Sequence, residues 1–405
     1  MALAFDLRRA MAVLMLALVS LAELLGMTMW FSATAVTPAI VGAFGLTAAS
    51  SAWLTMAVQA GFVAGTLASS LVGLPDAINP RRLFALGCVT GAVANAGVTL
   101  AGGAAAIVAC RFVTGVALAW VYPPGLKIAA GWTRHRRGTA LGVVVGALTV
   151  GSAFPHLLSG LTAGVDWRAV VLAASGLALA GGVIVIAIVR DGPHVAETAP
   201  FNSRAAIEVF ADRGTRLATL GYLGHMWELY AMWTWFGAFA AASLAAAGHP
   251  RAQALGSLAA FVAVASGAPG CVVAGVWADR LGKARVAGAA MVASGLCALG
   301  AGAVFGAPYA ALLAFGAVWG FVVVADSAQF SALVVDYSPR EHVGTALTLQ
   351  TCCGFLLTLL TIRLVPSAVA WLGWTWVFAL LAPGPFLGAW AMRRLDMRPP
   401  AAAVR

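Results

Sequence analysis

The sequence predicts an all-α membrane protein of twelve transmembrane helices, arranged as two pseudo-symmetric six-helix bundles. Three observations carry that prediction. Of 405 residues, 62% are hydrophobic and only 9% are charged, whereas soluble chains are about a quarter charged. Apolar runs of about 20 residues, the length of helix that crosses a hydrocarbon core, recur from end to end. The stretch "LAELLGMTMWFSATA" at 21–35 returns as "HMWELYAMWTWFGAFA" at 225–240, with glutamates and Trp-Phe pairs in register.

Runs bounded by charge or by Gly and Pro place the first six spans near 10–37, 51–73, 82–102, 105–130, 139–163 and 168–189. The second six lie near 217–244, 253–275, 284–305, 309–334, 345–365 and 370–392. Arg8 and Arg9 before the first run mimic a signal peptide, but the run is too long for one and holds Glu23, so it reads as an uncleaved first span. The polar stretch 190–216 separates the sets and carries a candidate amphipathic helix near 203–212. The expected organisation is a bundle at 1–190, a cytoplasmic linker at 191–216, a bundle at 217–396 and a tail at 397–405. All six cysteines fall inside apolar runs, so neither a disulfide framework nor a metal spacing is read.

Orientation follows from Lys and Arg. Loops on the N-terminal side carry Arg81, Arg82, Lys127, Arg134, Arg136, Arg137, Arg190, Arg204, Arg213, Arg216, Arg280, Lys283, Arg285 and Arg340. The opposite side carries only Arg168, Arg251 and Arg363. The positive-inside rule therefore puts both termini and the linker in the cytoplasm. The net charge of +10 is accounted for by topology and calls for no nucleic acid.

The repeat extends beyond the two glutamates, which are 205 residues apart. At that offset Leu24 meets Leu229, Met27 meets Met232, Trp30 meets Trp235 and Phe31 meets Phe236. "GTAL" opens the fifth span at 138–141 and the eleventh at 344–347. Two halves in the same orientation form a parallel repeat about an axis along the membrane normal. "GVWADRLGKAR" (275–285) follows the eighth span, and "GLPDAINPRR" (73–82), a degenerate copy, follows the second. With "RFVTG" at 111–115, these features resemble the major facilitator superfamily along essentially the whole chain. The resemblance implies the two-bundle fold and a central cavity lined by spans 1, 4, 7 and 10. It also implies cytoplasmic latches, formed by Asp76 and Arg81 in the first half and Asp279, Arg280 and Lys283 in the second. A carboxylate suits that role because a helix N-terminus presents unpaired N–H groups and partial positive charge.

Charges inside spans mark the candidate chemistry: Glu23, Arg111, Glu228 and Asp326, with His156 and His225. An ionised group at the centre of a spanning helix costs about 2.5–3.5 kcal/mol on insertion scales. Each such group therefore calls for a role. Helical spacing puts Glu23, Met27, Trp30 and Thr34 on one stripe, and His225, Glu228, Met232 and Trp235 on the matching one. The expectation is that both carboxylates face one cavity and that Glu228 leads proton coupling, with Glu23, Asp326 and His225 as further candidates. Substrate contacts are expected from Arg111 as a counter-charge and from Trp30, Trp235, Tyr122, Tyr230, Gln329 and His156.

No phosphate loop of the Gly-x4-Gly-Lys-Ser/Thr type occurs, which argues against an ATP-driven pump. No nucleophile–base pair or metal cluster points to an enzyme, and no cofactor is implied. The expected function is proton-coupled secondary transport of a small organic solute across the inner membrane by a multi-pass monomer embedded in lipid. Two alternatives stand beside it: a proton/drug antiporter exporting cationic aromatic compounds, and a sensor on the same fold that no longer transports. Direction stays open, because the Gly-rich exporter pattern of span five keeps Gly142 and Gly151 but has Pro155-His156 in place of Gly-Pro.

Overall fold

The computed structural model describes residues 2–133, 137–162, 165–194, 202 and 206–397, with side chains except at 2–9, 48, 75, 76, 137, 206, 207 and 340. Arg134, Arg136, Arg204, most of the linker between 195 and 205, and the tail beyond 397 lie outside the described residues. So do the side chains of Asp76, Arg137 and Arg340.

Among the described residues all regular structure is helical. Eleven segments are long and apolar enough to cross a membrane. The first ten, numbered spans 1 to 10, are Ala10–Met27, Ala49–Leu71, Pro80–Leu100, Ala104–Trp132, Gly138–Leu161, Trp167–Ala187, Arg213–Ala246, Ala252–Leu281, Lys283–Val304 and Tyr309–Tyr337. The eleventh, Val343–Asp396, has 54 residues. At 1.5 Å per residue that is long enough for two crossings. Gly373 divides it, with φ 64° and ψ 173°. The part before it is span 11, and the part after it, through Pro383–Asp396, is span 12.

Span 1 departs from the expected continuous helix at 10–37. Its helix ends at Met27, residues 28–33 form turns, and the chain resumes as a 3-10 turn (Thr34–Val36) and a short helix (Thr37–Phe44). Span 7 begins at Arg213, earlier than the expected 217, because the Asp212 side chain accepts from the Thr215 N–H at 2.7 Å. That N-cap satisfies a donor the first turn leaves open. The linker contributes one described helix, Ala206–Ala211.

Spans 1–6 pack on one another, as do spans 7–12, and the halves meet mainly through spans 5 and 8 and through spans 2 and 11. Glycine sets two of the closest crossings. A Cβ on Gly115 of span 4 would overlap the Val58 carbonyl of span 2, and one on Gly320 of span 10 would overlap the Ala263 carbonyl of span 8. These glycines are 205 residues apart, so the sequence repeat returns as repeated packing. Small residues allow such backbone approach between membrane helices. Gly320→Val is therefore expected to lower the melting temperature in detergent, since overpacking typically costs about 1–3 kcal/mol. Gly176→Val, at a position with nothing within 4 Å, should melt like wild type.

Candidate functional site

The site begins at the break in span 1. A helix that stops inside a membrane leaves carbonyls without partners. Arg111, fully buried on span 4, supplies them. Its Nη1 donates to the Met29 carbonyl at 2.9 Å and its Nη2 to the Trp30 carbonyl. Its Nε donates to the Leu54 carbonyl of span 2 at 3.0 Å, and Nη1 also reaches Asn95 Oδ1 at 2.8 Å and Ser32 Oγ at 3.1 Å. Asn95 of span 3 in turn donates to the Val171 carbonyl at 3.1 Å and to Ser175 Oγ at 3.0 Å, both on span 6. The guanidinium thus caps the break and ties five spans together. In this structure the guanidinium expected as a counter-charge for substrate bonds protein acceptors instead.

The paired glutamates do not face a shared cavity, which corrects a second expectation. Glu228 points into its own half, where Ser294 Oγ of span 9 donates to Oε2 at 2.8 Å and Trp319 Nε1 of span 10 donates to Oε1 at 2.7 Å. Glu23 points into the first half against Gly125 of span 4, so closely that a Cβ there would collide with Oε2. Phe84 of span 3 flanks the same spot. Glu23 is fully buried, and neither of its oxygens has a hydrogen-bond partner. His225 does not serve Glu228. Its Nδ1 lies 2.8 Å from Asp326 Oδ1 on span 10, an ion-pair distance with both side chains buried. That contact is poorly aligned for a hydrogen bond. Gln329 is buried one turn beyond Asp326, and its backbone N–H donates to the Asp326 carbonyl at 2.9 Å.

Between the halves lies an aromatic barrier. Trp30 stacks on Tyr230 with centroids 5.7 Å apart and meets Phe355 of span 11 at 5.7 Å. Phe62 of span 2 meets Phe355 at 4.6 Å, and Phe31 meets Trp233 edge-on at 6.0 Å. Trp30 is 1% exposed, so it belongs to this barrier and not to an open cavity. Tyr122, half-buried, starts the second helical segment of span 4.

On the face away from the termini a cleft of about 470 Å³ opens between the halves. His156 and Trp235 line it, with Thr34, Thr55, Thr234 and Ser257. On the face bearing the termini the halves are closed. Ser70 of span 2 lies 3.1 Å from Thr348 of span 11, oxygen to oxygen. Asp279 stands beside the first turn of span 5, where a Cβ on Gly138 would be 3.3 Å from Oδ1.

The other expected latch residues behave differently. Arg81 pairs with Asp191, Nε to Oδ1 at 3.0 Å, and donates to the Val189 carbonyl at 2.7 Å, all within the first half. Lys283 pairs with Asp336 at 2.6 Å within the second half. Arg280 is exposed and forms no ion pair among the described residues. These pairs brace each bundle, because a helix start is nearer to the neighbouring helix end of its own half than to the other half. Arg285 pairs with Asp396 at 2.7 Å, which repeats Arg81–Asp191 at almost the same sequence offset.

Asn95 and Ser294 were missed by the sequence reading, which among neutral polar groups singled out only Gln329 and the aromatic side chains. Each is a polar side chain inside an apolar run, and a neutral amide or hydroxyl in lipid also needs a partner.

The family model described as Major Facilitator Superfamily matches residues 16–250 and again residues 229–405. None of the curated proteins compared matches the chain. With both halves covered by that model and, among the described residues, eleven membrane-length apolar segments in two packed sets, the chain belongs to the Major Facilitator Superfamily and is a membrane transporter.

Proposed function

We propose that this transporter is a proton-coupled secondary carrier of a small organic solute in the inner membrane, with its termini in the cytoplasm and Glu23 as the protonation site. One observation carries the reading: a fully buried carboxyl, one turn before the break in span 1, with neither oxygen bonded. An ionised carboxylate in such a place is costly, and taking up a proton removes the charge. Proton binding at Glu23 is thereby linked to which face of the protein is open. Glu228 has two donors and acts as a fixed strut between spans 7, 9 and 10. The cleft is the outward entrance, and the aromatic barrier and the Ser70–Thr348 contact close the cytoplasmic path. Asp279 at the start of span 5 is the cytoplasmic latch, worth about 0.3–1 kcal/mol as a carboxylate at a helix N-terminus, weak enough to break in each cycle. A second reading places the proton on the buried His225–Asp326 pair, 2.8 Å apart.

Alternation is testable without a known solute. In a background lacking the native cysteines, Gln350→Cys lies buried on span 11, toward the closed face. A membrane-impermeant maleimide added to inside-out vesicles should label it slowly. A disulfide between Ser70→Cys and Thr348→Cys should stop that labelling, while Ala242→Cys in the cleft stays reactive from the other face. No labelling of Gln350→Cys with the pair reduced would contradict an alternating carrier.

A further inference from the structure

We propose that the cleft between the halves is a binding site for an uncharged, hydroxyl-bearing solute that donates hydrogen bonds, with His156 as its polar anchor and Trp235 as its apolar wall. This deepens the transport reading and rests on it.

The first argument is charge. Among the described residues, no Asp, Glu, Lys or Arg side chain lines the cleft. An ion entering it would shed water without meeting an opposite charge, which is strongly unfavourable. Neither a cationic aromatic compound nor an organic anion fits such a lining.

The second argument is which hydrogen-bonding groups remain free. Thr37 Oγ1 donates to the Thr34 carbonyl at 2.8 Å, and Thr234 Oγ1 donates to the Tyr230 carbonyl at 2.6 Å. Thr34 and Thr55 share one hydrogen bond of 2.7 Å between their hydroxyls. Trp235 Nε1 donates to the Ile362 carbonyl at 3.0 Å. The threonine protons and the indole N–H are therefore largely committed. What these residues still present to the cleft is oxygen lone pairs and an aromatic surface. Gln253 adds a carboxamide that both donates and accepts, so a complementary solute brings hydroxyl groups, which do both, and a C–H face for Trp235.

The third argument is His156. It is 4% exposed, it lines the cleft, and its Nε2 has no hydrogen-bond partner. A buried ring nitrogen left open calls for a partner that the protein does not supply. Phe31 of the barrier lies 6.2 Å away by ring centroids, so a solute bound at His156 sits directly above the barrier. The volume of about 470 Å³ holds one solute of a few hundred daltons.

The test uses three probes of one shape: phenyl glucoside, which is uncharged; phenyl glucuronide, an anion; and phenyl glucosaminide, a cation near neutral pH. Binding to purified full-length protein is measured by equilibrium dialysis. Saturable binding of phenyl glucoside is expected, with both charged analogues weaker by about tenfold or more. His156→Ala should weaken the glucoside by about three- to tenfold, the loss of one hydrogen bond. His156→Gln should recover part of it, and a melting scan should show both variants folded. If His156→Ala does not fold, Thr234→Val removes an acceptor at unchanged shape and should weaken binding similarly. Failure of the glucoside to bind saturably, equal or tighter binding of either charged analogue, or no effect of the folded variants overturns the assignment. The maleimide assay at Gln350→Cys needs no solute, so alternation that survives while glucoside binding fails removes this site and leaves the transport reading standing.

Discussion

Replacing Arg111 by lysine will remove most of the folded protein. Arg111 donates in one plane to carbonyls of spans 1 and 2 and to Asn95 and Ser32. A lysine ammonium has three donors on a flexible stem and cannot span that fork. Each buried acceptor left open costs about 1–3 kcal/mol. Two or more lost here are a large share of a total stability of about 5–15 kcal/mol. Asn95→Leu removes one acceptor of Arg111 and two donations to span 6, but the Val171 carbonyl keeps the Ser175 hydroxyl as a donor, so the cost should be smaller, about 1–3 kcal/mol. The check is the yield of monodisperse protein by size exclusion, together with the melting temperature. Arg111→Lys melting like wild type would show that the cap over the span 1 break is not needed for the fold.

The spans and their duplication were legible because both are written in composition and in residue identity at a fixed offset. The break in span 1 was not legible. Its cause is a side chain from span 4 bonding backbone carbonyls, and carbonyls are the same at every position. That break explains a further error. Glu23, Met27, Trp30 and Thr34 share a stripe only if the helix is continuous, but it ends at Met27. Trp30 therefore joins the barrier while Glu23 faces Gly125. For Glu228 the spacing put Trp235 on the same stripe, but Trp235 lines the cleft while Glu228 meets Ser294 and Trp319 of its own half. His225 is three residues from Glu228, yet Asp326 of span 10 sits closer to its ring nitrogen. The Arg81–Asp191 and Arg285–Asp396 pairs repeat in the sequence, but the two aspartates fall where chain ends and linkers are read as solvated.

Glu23→Gln is expected to abolish the drive of transport and to leave exchange intact. Glutamine keeps the size of the side chain beside Gly125 and cannot gain or lose the proton. Glu228→Gln should perturb packing at Ser294 and Trp319 and leave coupling in place, because those donors already satisfy a charged carboxylate. Asp326→Asn tests the rival pair with His225. The solute is one returned by a thermal-shift screen, and each variant is reconstituted in proteoliposomes. Two quantities are compared: exchange at equal pH, and net movement under an imposed pH gradient. A gradient of about one pH unit holds about a tenfold concentration ratio of an uncharged solute at one proton per cycle. Wild type should approach that ratio in one direction, whereas Glu23→Gln should stay near unity while exchanging at a comparable rate. A Glu23→Gln protein that builds the wild-type ratio would contradict the assignment of the proton to Glu23, and its loss in Asp326→Asn instead would move the proton to the His225–Asp326 pair.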